Sequence, residues 1–137
     1  MAVNFDLENL AVLVQRRHNV LKDLEKVSDQ LSDAISRQDE VSIEILLNMR
    51  QESLIRCEEL WVQILEPGQD SEEIAAVLKR LVLSDPDSVE TTDLLEKRIL
   101  DIRRNTRRII DRLKEQDGIM KKRLMLQKSF LKSKDKS

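Results

Sequence analysis

Nine positions spaced alternately by three and four open the chain: Leu7, Leu10, Val14, Arg17, Leu21, Leu24, Ser28, Leu31 and Ile35, of which seven are apolar. Leu13, Val20, Val27 and Ala34 form a second column beside them. Such spacing lays a wide apolar stripe along one side of a helix. The pattern predicts a helix over 6–37, a rod about 45 Å long at ~1.5 Å per residue. Asp6 offers a carboxylate to its free N-terminal amides. Gln38-Asp39 breaks the pattern, and Asp39, Glu40 and Glu44 favour a new helix start through the macrodipole.

A second helix is predicted over 40–65, with Ile43, Leu47, Leu54, Cys57, Trp61 and Ile64 as its stripe and Leu46 and Leu60 beside it. Glu66-Pro67-Gly68 ends it, because proline cannot continue the hydrogen-bond ladder and glycine admits positive φ. So short a link between two long helices implies an antiparallel hairpin. A short third helix follows over 71–83, opened by Asp70 and Glu73 as a capping box and carrying Ile74, Val77, Leu78, Leu81 and Val82. Ser84-Asp85-Pro86-Asp87-Ser88 reads as a loop and the best candidate for a mobile hinge.

The last helix is predicted over 89–131, with Leu95, Ile99, Ile102, Ile109 and Leu113 on one face and an interruption near Gly118. Beyond the glycine, Ile119, Met120, Leu124, Leu126, Phe130 and Leu131 share one broad arc, with Lys121, Lys122, Lys128 and Lys132 largely outside it. Residues 132–137 read as a frayed tail. No segment alternates with period two long enough to be a strand. The expected fold is therefore all-α: a single helical domain over 1–137, built as an elongated antiparallel bundle. It has two long N-terminal helices, a short third and a long amphipathic C-terminal one.

Composition agrees. With 137 residues, 36% charged, 2 Gly, 2 Pro and no Tyr, the chain is sized for one domain and poor in turn and strand formers. No stretch approaches the ~18 apolar residues of a membrane span. The first residues lack the basic and continuous apolar regions of a signal peptide, so a cytoplasmic location is expected. Charge is polarised: residues 1–93 carry 9 Lys and Arg against 20 Asp and Glu, whereas 94–137 carry 15 against 6. Either the basic end meets an acidic external partner, or it packs against the acidic helices of its own chain or of a partner protein. Basic residues alternating with acids beside an apolar stripe favour the second.

Little catalytic chemistry is available. His18 and Cys57 are the sole residues of their kinds, too few for a multidentate Cys/His metal site, and no metal or cofactor is expected. Two glycines cannot furnish a phosphate-cradling loop, and no nucleophile motif is present, so no enzyme is expected. His18 reads as solvent-facing or at the seam edge. Cys57 reads as a small buried hydrophobe and Trp61 as core packing. Arg17 and Arg50 occupy seams, where the ordinary reading is a buried stem with a solvated head and the sharper one an ion pair that fixes register. Arg103, Arg104, Arg107, Arg108 and Arg112 could track phosphates, but no aromatic residue interleaves with them to stack on bases. Nucleic acid is therefore a rival partner only.

One resemblance gives direction. Ala34-Ile35-Ser36-Arg37-Gln38-Asp39, then Ile45-Leu46-Leu47-Asn48-Met49-Arg50 and Glu58-Glu59-Leu60, resembles the hairpin of flagellar export chaperones of the FlgN type. The order of long, long, short and long helices is similar to theirs. The resemblance implies a cytoplasmic, non-enzymatic chaperone that binds hook-associated proteins and delivers them to the export apparatus. It places client binding on the last helix, hence on Ile119, Met120, Leu124, Leu126, Phe130 and Leu131. The alternatives are a filament-cap chaperone of the same export system, a basic nucleic-acid binder, and a structural coiled-coil adaptor that pairs its exposed seam in a homodimer.

Overall fold

Asp6 accepts a hydrogen bond from the Asn9 amide at 3.0 Å and opens α1 (Leu7–Ser36). The computed structural model describes the backbone of residues 5–135 and the side-chain surroundings of residues 5–129. α1 stops in a paired C-cap in which the Asp39 amide donates to the Ala34 carbonyl and the Gln38 amide to the Ile35 carbonyl, both at 3.0 Å. This geometry forces one residue into the left-handed region, and here it is Gln38, at φ 57°. Asp39 then caps α2 (Glu40–Leu65), accepting from the Ser42 amide at 3.1 Å and the Ser42 hydroxyl at 2.7 Å. Those bonds hold its carboxyl below its ordinary range.

A 3₁₀ turn over Glu66–Gly68 leads to α3 (Glu72–Leu78), which continues as a π-helical turn over Lys79–Leu83. The N-cap of α3 is Ser71, not Asp70: Ser71 is the extended residue, and its Oγ accepts from the Ile74 amide at 3.2 Å. A second 3₁₀ turn, Pro86–Ser88, precedes α4 (Leu94–Asp135).

Three long helices thus run up, down and up. Contacts between α1 and α4 advance together along both: Thr106 meets His18, Arg112 meets Glu25, and Gln127 reaches the Ile35 carbonyl. α1 is the helix that α2 and α4 share. Its buried residues cover about 220° of its circumference at ~100° per residue, wide enough to serve two neighbours. The main core joins Leu10, Leu21 and Leu24 of α1 to Leu60 and Ile64 of α2, Leu81 of the π turn, and Ile99, Ile109 and Leu113 of α4. A smaller core at the hairpin end holds Leu31, Ile35 and Met120, with Ile43, Leu46 and Leu124 against it.

Three boundaries differ from expectation. α4 begins at Leu94 rather than 89, because Asp93 accepts from the Glu96 amide and caps it there. Gly118 does not interrupt the helix. Asp117 and Met120 on either side are gripped by Arg50 and by the smaller core, and no atom lies within 4 Å of the Cβ that Gly118 lacks. The tail expected from 132 is helical through Asp135, and Lys136 and Ser137 lie outside the described residues. The Ser84–Ser88 segment is a pinned turn rather than a hinge. Pro86 is fully buried, Ser88 Oγ donates to the Asp85 carbonyl, and Arg104 and Arg107 bind Asp87 and Asp85 at 2.8 Å.

Two substitutions test this backbone. Gln38→Gly should stabilise the protein by roughly 0.5–1 kcal/mol, relieving the left-handed penalty net of glycine's larger unfolded-state entropy. Gly118→Ala should stabilise by a similar amount, about 0.5–1 kcal/mol, since the helix is continuous and the methyl has room. Urea denaturation midpoints check both. A loss of stability for Gly118→Ala would mean that the glycine is needed as a break.

Candidate protein-binding groove

The stripe of α2 contains two columns with different fates. Ile43, Arg50, Cys57 and Ile64 are each seven residues apart; Cys57 and Ile64 are buried in the main core and Ile43 packs on the smaller one, while Arg50 reaches across to α4. Leu54 and Trp61, also seven apart, face α4, which stands away from them; Leu47, seven residues earlier, lies beyond the cleft. Leu47 is left 45% exposed and Leu54 37%. A cleft of about 460 Å³ therefore opens between α2 and α4, with Leu21 and Leu24 of α1 below, Leu54 and Trp61 on one wall and Ile110 and Lys114 on the other. A second cavity of about 270 Å³ continues it toward the α3 end, lined by Ile64, Val82, Arg103 and Thr106. Arg17, Trp61, Ile110 and Lys114 border both.

The two walls are held apart at both ends. Val82 stands between Ile64 of α2 and Arg103 of α4 at one end, and Arg103 donates to the Leu81 carbonyl at 2.9 Å. Toward the other end Arg50 of α2 pairs with Asp117 of α4. Arg50 thus forms an ion pair, part-buried, with a partner 67 residues away that no local spacing could reveal.

Arg17 is different. Its guanidinium carbon lies 4.9 Å from the Trp61 ring centroid, a cation–π contact, and its Nε, like that of Arg50, is buried without a hydrogen-bond partner. It makes no ion pair among the described residues, and burial lowers its pKa from the ordinary arginine value. Trp61 is accordingly half-buried beneath a cation rather than enclosed in the core. Cys57 is buried, and desolvation raises its thiol above the ordinary value, as suits a packing residue rather than a nucleophile.

The expected capture face on α4 divides. Met120 is buried in the smaller core and Leu124 packs against it, so neither is free. Ile119 and Leu126 are exposed, at 46% and 70%. The side chains of Phe130 and Leu131 lie outside the described residues. The structure therefore does not bring these residues together as one open surface. The site that sequence reasoning missed is the α2–α4 groove, although the Leu47–Leu54–Trp61 column was visible as part of the α2 stripe.

The arginine stripe is largely consumed within the chain. Arg104 pairs with Asp87 and Asp101, Arg107 with Asp85, and Arg112 with Glu25; Arg108 is exposed. His18 is not solvent-facing: it is 9% exposed, and its Nδ1 lies 2.8 Å from Thr106 Oγ1. Thr106 donates its own proton to the Ile102 carbonyl at 2.8 Å, so His18 Nδ1 is the donor toward it. Among the described residues no helix is long and apolar enough to cross a membrane, and no cluster of three His, Cys, Asp or Glu could hold a metal ion.

Comparison with protein families, curated proteins and solved structures finds no match for this chain.

Burial, and secondarily Lys22, lowers the His18 pKa from its ordinary 6.5. A depressed folded-state pKa contributes stability fully above the unfolded value and loses it as pH falls through the folded one. Between pH 7.5 and 5, the Tm of the parent should fall more than that of His18→Gln. Parallel curves would show that His18 titrates equally in both states.

Proposed function

We propose that this protein is a non-catalytic helix-binding protein whose α2–α4 groove holds an amphipathic helix of a client protein. The observation that carries this reading is the open cleft between α2 and α4, in which Leu54 stays 37% exposed beside Trp61. The two are seven residues apart, the spacing of a helix–helix seam, and no described helix of the chain fills the cleft. A helix laid there would complete a four-helix arrangement of which α1, α2 and α4 provide three members.

In its finer form, the proposal is a cytoplasmic chaperone of the flagellar type III export system, with hook-associated proteins as clients. Support for that form comes from the resemblance in 34–60. Within the fold this stretch builds the α1–α2 turn and the beginning of the groove wall, including Arg50 and Leu54. Filament proteins that assemble through helical termini would present the amphipathic helices such a groove accepts.

The test is direct. Leu54→Asp should reduce binding of peptides from the helical termini of hook-associated proteins at least about tenfold, because the charge would sit in an apolar contact. The same change should alter stability by less than about 1 kcal/mol, since the side chain is already substantially exposed. Leu124→Asp should instead destabilise the fold by about 2–4 kcal/mol by placing a charge against the smaller core. Unchanged peptide affinity in Leu54→Asp would remove the groove as the binding site.

A further inference from the structure

We infer that the groove selects helices that carry a carboxylate within their apolar face, seated over Arg17. This rests on the proposed groove reading and adds the chemistry of the occupant.

Arg17 is conspicuous for what surrounds it. The other arginines that reach between elements at the groove and around the α3 end have found acceptors: Arg50 has Asp117, Arg80 has Glu96, Arg107 has Asp85, and Arg103 has the Leu81 carbonyl. The chain has 26 acidic residues, yet none of the described ones comes within ion-pair distance of Arg17. Its Nε is buried without a partner. The stack on Trp61 keeps the guanidinium on the groove floor, where both cavities meet.

The neighbourhood does not compensate it. Arg103 and Lys114 stand on the α4 wall, and Arg17 itself contributes to lowering the Arg103 pKa. Of the two carboxylates on that wall, Asp117 is engaged by Arg50, and Asp111 is exposed at the lip without contacting Arg17. On the α2 side Glu58 also borders the cleft, but it is exposed and makes no ion pair with Arg17, so the floor itself is cationic.

Closing this groove with a wholly apolar helix would bury an unpaired guanidinium, which is strongly unfavourable. A glutamate at the central seam position of the incoming helix changes the sign. It converts the desolvated cation into a charge-assisted pair. Along α2 the two cavities run from Arg50 to Ile64, roughly 21 Å at ~1.5 Å per residue, so a helix of about 18 residues, five turns long, covers them. The arrangement rejects basic helices by like-charge repulsion and tolerates neutral ones poorly, which gives selectivity among clients with similar apolar faces.

The probes are three designed peptides of about 18 residues with leucines in a heptad seam and Glu, Gln or Lys at its centre. They are titrated into the full chain, with the fluorescence of Trp61, the single tryptophan, as readout and calorimetry as check. The Glu peptide should bind at least about tenfold more tightly than the Gln peptide, and the Lys peptide most weakly. Arg17→Met should bring the Glu-to-Gln ratio to about one while leaving Gln-peptide affinity equal or improved. Arg17→Lys, which keeps the charge but not the planar fork, should retain part of the preference and guards against a folding defect in the Met variant.

Equal binding of Glu and Gln peptides to the parent, lost in Leu54→Asp, would overturn the carboxylate selection and leave the groove reading standing. Absence of binding by every peptide would overturn both. A parent that sediments as a dimer and becomes monomeric in Leu54→Asp would show that a second copy fills the groove, which also overturns the proposal.

Discussion

Everything in this fold depends on α1 being buried on two sides. A surface helix hides a stripe of roughly 100°, whereas α1 hides about twice that. Leu13, Val20, Val27 and Ala34 occupy its α2-facing flank, and the flank marked by His18, Glu25 and Asp29 meets α4. One helix thus organises two neighbours. Because both lean on α1, they need not close on each other, and the space above Leu21 and Leu24 stays open.

The open space is maintained by the long connection between α2 and α4. A tight turn would have drawn the two helices together. Instead α3 and its π turn bring Leu78, Leu81 and Val82 into the core and separate the helices at that end. Arg104 and Arg107 anchor the following turn to α4 through Asp85 and Asp87. Arg50 and Asp117 set the spacing further along. Residues that look in one dimension like a phosphate-tracking stripe serve in three dimensions as clamps. The charge polarity of the chain has the same explanation in part: Arg112 of basic α4 pairs with Glu25 of acidic α1.

The groove combines features that stability alone would not favour. Leu54 is apolar yet exposed, and Arg17 is charged yet desolvated and without a carboxylate. Each would be better served by a partner. Their presence on adjoining surfaces of one cleft is the physical basis for reading the protein as a half-complete helical assembly, and for expecting an occupant that is both amphipathic and acid-bearing.

Helix identity, the hairpin turn and most core positions were legible along the chain, because apolar periodicity and capping are local: Asp6 and Asp39 cap the two first helices where the spacing placed them. Residues whose role depends on distant neighbours were not. Gly118 lies inside a helix because Asp117 and Met120 are held by other elements, and His18 is buried because Thr106 arrives from α4. Met120 and Leu124, periodic and apolar, carried no sign that their own hairpin would cover them. The apolar columns were written in the residue order. Which column would be covered and which left open was decided only in three dimensions, because burial depends on where the third long helix is held, and that is set by long-range contacts rather than by local spacing.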